Sequence, residues 1–210
     1  MKKLIAMMML AVVMVGSFTS CKSDEDKAKE AVEAYLYKNM KNPESLKILS
    51  CEVRLDTVPF YLSEELLDLA DKFDEAMDEY NRYKDRSYLW VDEKLESIQK
   101  MQTAKETLQT AYKVAQENDS TEIEYIAYVK SSGTNPMGGT VSNSTIVILD
   151  KNNPDKILGS FIVDKDFIKQ FVVLKMAGSN FEYEFKTNKF GKYITDGLPY
   201  FEQFVMNDAD

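Results

Sequence analysis

The sequence predicts an α+β fold: an N-terminal helix and strand, a long antiparallel helical hairpin inserted after them, and a C-terminal antiparallel β-meander. Three observations predict it. Apolar residues recur at helical spacing over 26–41 and again, for much longer, over 63–118. After residue 120 the period falls to two, the signature of half-buried strands. Clusters of Asn, Asp, Gly and Pro separate the alternating runs.

In the first helix Ala28, Ala31 or Val32, Tyr35 and Leu36 form the apolar stripe, and the first turn is acidic, which suits the helix dipole. Asn42-Pro43 stops it, because a residue before proline is pushed out of the helical region. Glu44-Ser45 turns the chain, and residues 46–58 make the first strand, ended by Pro59. Leu49, Cys51, Val53 and Leu55 alternate with polar residues there. That pattern places Cys51 on the strand's inner face as an inert core thiol.

The hairpin, 62–118, rests on a heptad seam. Leu62, Leu66, Leu69, Phe73, Ala76, Tyr80 and Tyr83 alternate at spacings of four and three. Ser63 suits an N-cap. Asp85-Arg86-Ser87-Tyr88 is the expected turn, and Leu95, Ile98, Met101, Ala104, Leu108, Ala111 and Ala115 carry the second helix. Two helices of about 25 residues would each reach about 37 Å. One unbroken helix is the alternative.

Ile123, Tyr125, Ala127 and Val129 read as a strand, 131–139 as a loop, and Thr140 to Leu149 as the next strand. Asp150 to Asp155 is a turn, and Ile157 to Val163 pairs back as a hairpin. Asp166 is the expected cap of a helix from Phe167 to Met176, closed at Gly178. Phe181, Tyr183 and Phe185 alternate as a further strand, and 190–205 fits either a strand or a short helix.

The first residues carry a targeting signal. Lys2-Lys3 precede an apolar run from Leu4 to Val15, then Gly16-Ser17-Phe18-Thr19-Ser20 and Cys21. A run of about 12 residues is short of the roughly 20 that span a bilayer. The segment resembles the signal and lipobox of bacterial lipoproteins, with Phe18 at the place usually taken by leucine. The resemblance implies cleavage before Cys21, a diacylglyceryl group on its thiol and an acylated amino terminus; two or more chains give stable anchoring. Lys22-Ser23-Asp24-Glu25-Asp26 looks like the acidic surface-export tag of lipoproteins from some Gram-negative gut anaerobes; a plain linker into the helix is the other reading. The chain thus divides into a signal peptide, 1–20, an acidic linker, 21–26, and one α+β domain, 27–210. The expected location is the outer membrane, with the cell surface favoured over the periplasmic face.

Composition narrows the function. The 210-residue chain carries a formal charge of −9, and loss of the two lysines in 1–20 takes it to −11. Such a domain repels phosphate backbones, so nucleic acid is not an expected partner. There is no histidine, which removes Ser–His and Cys–His catalysis and most catalytic zinc sites. With Cys21 lipidated, Cys51 has no disulfide partner within the chain.

Two further segments, Met40-Lys41-Asn42-Pro43-Glu44-Ser45-Leu46-Lys47 and Ser132-Gly133-Thr134-Asn135-Pro136-Met137-Gly138-Gly139-Thr140, resemble a pattern in small uncharacterised envelope proteins of Gram-negative bacteria. There a helix ends in Leu-Lys-Asp-Pro-x-Ser, and an Asn-containing strand later runs into a Gly-Gly turn. The resemblance implies kinship and no activity. Pro43 ends a helix, Ser45 bonds the turn, and the glycines supply positive φ.

No catalytic or metal residues, and no cofactor, are expected. Asp150-Lys151-Asn152-Asn153-Pro154 begins like a calcium loop, but Pro154 has no side-chain oxygen and the glycine is missing. Gly138-Gly139 reads as a turn, without the Lys of a phosphate loop. Glu64, Glu65, Asp68, Asp71, Asp74, Glu75, Asp78 and Glu79 fall mostly on the solvated side of the seam. Tyr88 and Trp90, near the hairpin tip and off the seam, are the candidate contacts for a protein or glycan partner. A membrane-anchored binding module of the envelope is the expected function. An acid-based hydrolase using two carboxylates, for example on glycans, is the alternative.

Overall fold

The computed structural model describes residues 22–39, 42–85, 91–119, 122–135, 137–184, 186–189 and 192–207. Helix α1 (Asp24–Asn39) and strand β1 (Lys47–Thr57) come first, joined by a 3-10 turn at Pro43–Ser45. Helices α2 (Glu64–Tyr83) and α3 (Val91–Glu117) follow, then strands β2 (Ile123–Thr134), β3 (Thr140–Asp150) and β4 (Asn153–Ile162), and finally helices α4 (Lys165–Gly178) and α5 (Tyr200–Asn207). The strands form one antiparallel sheet in the order β1-β2-β3-β4. The fold is α+β, with the helical hairpin and the C-terminal meander in the expected places.

The sheet is covered on both faces, which is why β2 is buried almost throughout. Ile126, Tyr128 and Ile146 face the larger core, built with Leu66, Phe73, Leu108, Phe171 and Phe204 from the four later helices. Tyr125, Ala127, Val129, Val147 and Leu149 face the smaller core under Ala28 and Val32 of α1. The period of two sends alternate residues of one strand into two different cores.

Ser23 Oγ accepts the Asp26 N–H, and Asp26 Oδ2 accepts from the Ser23 N–H and hydroxyl. This reciprocal cap starts α1 at Asp24, so Asp24, Glu25 and Asp26 are its first turn. The Ser23 bonds hold the Asp26 carboxyl below its usual range.

Strand β1 departs from simple alternation. Its register with β2 shifts between Ile48 and Ser50, which bulges Leu49 out to 63% exposure. The bulge puts Ile48 and Cys51, three residues apart, in the same small core. Cys51 is half-buried as a free thiol, whereas Leu49 and Leu55 are exposed rather than on the inner face.

Ser63 caps α2 by accepting the Leu66 N–H at 3.2 Å. Lys100 bridges to Glu79 at 3.1 Å and Lys94 Nζ donates to the Lys84 carbonyl, tying α3 antiparallel to α2. The hairpin reading therefore holds, and one continuous helix does not. Near its start the α3 seam is rotated from the expected one: Ser97 is fully buried, its hydroxyl satisfied by the Lys94 carbonyl, and Leu95 is exposed.

The later elements differ in several places, among them β4, which starts at Asn153 inside the expected turn and ends at Ile162. Strand β2 continues through Ser131–Thr134, which the sequence suggested as loop. Asp164, not Asp166, caps α4, its Oδ1 accepting from the N–H groups of Asp166 and Phe167. Phe181 to Glu184 form no strand; α4 ends in a Schellman reversal with Phe181 N donating to the Met176 carbonyl and Asn180 N to that of Ala177. Asn180 and Phe181 take positive φ there, which breaks any extended run. Gly178 lies inside α4 and is needed for close approach, since a Cβ on it would sit 2.6 Å from Tyr112 Oη. Within the ambiguous stretch 190–205 only the part from Tyr200 is helical, as α5, which buries Phe201, Phe204 and Val205, while Tyr193 makes an isolated bridge to Thr187. A Lys175–Glu202 ion pair at 2.8 Å, largely out of solvent, ties α5 to α4.

Candidate functional site

Cys21, Tyr88 and Trp90 lie outside the described residues, as do the signal segment and Met40, Lys41 and Pro136 of the resemblance motifs. No described helix is long and apolar enough to cross a membrane. The site is therefore built from the hairpin's described helices and the surfaces around them.

The base of the hairpin is not a free appendage. Leu66, Ala70, Phe73, Leu108 and Tyr112 are part of the larger core. Beyond them Asp71 accepts from Gln170 and Asp74 pairs with Lys169, which fastens α2 to α4. On α3 Lys105 stacks over the Phe181 ring just after α4. Those contacts use one side of the helix pair.

The opposite side is a groove. Two confluent hollows of ≈ 590 and ≈ 950 Å³ share Leu69, Lys72 and Thr107. Their floor is made of Leu69, Ala76, Ala104, Ala111 and Ala115. Small side chains leave space between two helices that large ones would close. From Ser63 to Glu79 the groove runs for roughly 24 Å along α2. Its rims carry Glu65, Asp68, Glu75, Glu79, Glu96 and Glu106 against Lys72 and Lys100. Lys72 is held by Asp68 and Lys100 by Glu79 and Glu96, so both lysine charges are matched and acid remains in excess.

A third hollow, of ≈ 820 Å³, lies between α2, β4 and the start of α4 and is rimmed by Glu64, Asp68, Asp71, Asp164 and Asp166. Three of these five acids are engaged: Asp68 with Lys72, Asp71 with Gln170, and Asp164 as a helix cap. The Asp26, Glu52 and Asp150 carboxyls are each held below their ordinary values, first by hydrogen bonds. A general acid needs the opposite shift.

On the larger-core face of β1, Tyr200 Oη donates to Glu52 Oε2, Arg54 Nε donates to Glu52 Oε1 at 2.7 Å, and the Arg54 guanidinium lies 3.8 Å over the Tyr200 ring. Beside it Tyr128 packs edge-on against Tyr200 with its hydroxyl buried and unpartnered among the described residues. Burial pushes the Tyr128 phenol up, so it stays neutral. The sequence gives no sign of this cluster, because its four residues come from three distant elements.

The two other motif candidates are structural. Asn135 Oδ1 accepts from the N–H groups of Met137 and Gly139, and the Asn135 carbonyl accepts from Gly138, so the Gly-Gly amides are turned inward. Gly138 takes the positive φ of 83° that the turn requires. Asp150 accepts from the Asn152 N–H and pairs with Lys156, as a hairpin turn does. No family model, curated protein or solved structure matches the chain.

Proposed function

We propose that this protein is a lipid-anchored binding module of the bacterial envelope, tethered through Cys21, which contacts a partner along the α2–α3 groove. The anchor half of the reading is supported by the apolar run from Leu4 to Val15 and the small residues that lead to Cys21. The binding half is carried by one observation: the groove between α2 and α3 stays open on the side away from α4, floored by Leu69, Ala76 and Ala104 and rimmed by excess acid. That combination suits an apolar-striped segment with basic flanks. Tyr88 and Trp90, which fall between α2 and α3 in the sequence, belong to the same proposal as candidate contacts. Outer-membrane residence with the domain outside the cell belongs to the same proposal.

Deleting the hairpin would remove core residues Leu66, Phe73 and Leu108 and so tests folding, not binding. The informative experiment places a photo-crosslinking residue at Thr107, on the groove, in intact cells. A defined adduct is expected that disappears when Ala104→Glu fills and charges the floor. An adduct unchanged by Ala104→Glu, or none at all, overturns the groove as the contact surface.

A further inference from the structure

The α1 face of the sheet changes character along its length. On β2 it runs Tyr125, Ala127, Val129 and then Ser131; on the paired β3 it runs Leu149, Val147, Thr145 and Asn143. The apolar part is sealed by Ala28 and Val32. Where the hydroxyls begin, the C-terminal turn of α1 stands off the sheet and leaves a cavity of ≈ 150 Å³. Its polar wall is Tyr35, Asn39, Ser131, Asn143, Thr145 and Ser160. Ser131 and Thr145 are only 4% and 6% exposed. Part of this wall is bonded within the protein: Ser131 Oγ donates to the Asn143 carbonyl at 3.5 Å and Asn39 Nδ2 to the Tyr35 carbonyl at 2.8 Å, which leaves the acceptor lone pairs of the hydroxyls and the Asn143 side chain to face the cavity.

We propose that this cavity is a second binding site, separate from the hairpin groove, for one neutral sugar ring. The lining contains no charged side chain. A buried anion or cation would lack a counter-charge there. The wall groups are hydroxyls and amides, which both donate and accept, so the ligand must do both as well. Leu36, Leu46 and Ile162 complete the lining and offer an apolar surface for a ring's C–H face. The volume is half the roughly 300 Å³ at which drug-sized pockets begin, which limits the occupant to a single ring. Tyr35 Oη and Ser160 Oγ, 2.6 Å apart, bridge α1 to β4 and fix the cavity's outer wall. Leu46 belongs to the first resemblance segment, and Ser131 directly precedes the second.

A free sugar and the terminal ring of a glycan share this chemistry. The test uses the full chain in detergent and saturation-transfer NMR with methyl glycosides of glucose, galactose, mannose and N-acetylglucosamine. An oligosaccharide ending in the bound ring, and glucose 6-phosphate, are run in parallel. At least one neutral glycoside is expected to bind, and the tighter of glycoside and oligosaccharide identifies the source. The near-isosteric Thr145→Val should weaken binding about tenfold by removing one hydrogen-bonding group. Asn143→Leu, which fills the cavity, should abolish it. Amide shifts in the wild type should centre on Ser131, Asn143 and Thr145. No neutral sugar bound by the folded wild type, tighter binding of the phosphate sugar, or binding unchanged in both variants overturns the proposal. Loss of the Thr107 adduct leaves this result untouched, so the two sites fail independently.

Discussion

Ser45 Oγ accepts the backbone N–H of Thr134 at 2.9 Å while donating to the Asn42 carbonyl at the same distance. One hydroxyl thus closes the 3-10 turn after α1 and pins the end of β2, 89 residues away. The two segments that resemble one envelope family's pattern meet at this contact, which supplies a physical reason for their joint occurrence.

Ser45→Ala removes both bonds and leaves the exposed Thr134 N–H to water. We expect a loss of about 1–2 kcal/mol, read as a lower urea midpoint at unchanged slope. Ser45→Thr keeps the hydroxyl and should retain most of the stability.

Gly178 faces Tyr112 with no room for a methyl group. Gly178→Ala should destabilise by about 1–3 kcal/mol through overpacking, despite alanine's better helix propensity. Adding Tyr112→Phe, which removes the oxygen 2.6 Å from the added Cβ, should recover part of that loss. A double mutant no more stable than Gly178→Ala would contradict the contact.

The Tyr200–Glu52 bond gives a pH signature. The Tyr200 hydroxyl, then Arg54, holds the Glu52 carboxyl below its ordinary value of 4.5. A depressed carboxyl contributes stability above its unfolded pKa and loses it as pH falls through the folded one. Burial and Glu52 push the Tyr200 phenol above 10.0, a contribution lost as pH rises past that value. The stability gap between wild type and Tyr200→Phe should be widest near neutral pH and narrow at both extremes. Urea titrations across pH would show it, and a constant gap would contradict it.

Cys51 sits half-buried, with its thiol pushed up first by desolvation and then by Glu33. Thiol reagents at neutral pH should modify it slowly in the native protein and fully after unfolding. Rapid native labelling would show that the small core opens readily beside the bulge.

Long, strongly periodic elements were legible in the sequence, and local exceptions were not. The α2 seam is legible because Leu66, Phe73 and Ala76 repeat over several turns, and their burial is decided by one helix face. The Leu49 bulge is invisible because alternation alone cannot show an extra residue without knowing β2's register. The Phe181 region misleads for a related reason: its alternating aromatics look like a strand, yet the reversal after α4 sets its backbone. Asp164 and Asp166 both suit a cap by composition, and only hydrogen-bond geometry separates them. Among the site features, the open side of the hairpin follows from Ala104 and Ala111 on the seam, residues too small to fill a helix interface. The sugar-sized cavity depends on Ser131, Thr145 and Ser160 meeting across three strands, which no local pattern reveals.

Mass spectrometry of the N-terminal proteolytic peptide from membrane-extracted protein reads attachment through Cys21 without an intermediate assay. We expect a peptide that begins at Cys21 and carries a diacylglyceryl group with an acylated amino terminus, absent from Cys21→Ser. A peptide that retains residues before Cys21, starts elsewhere, or begins at an unmodified Cys21 would contradict it.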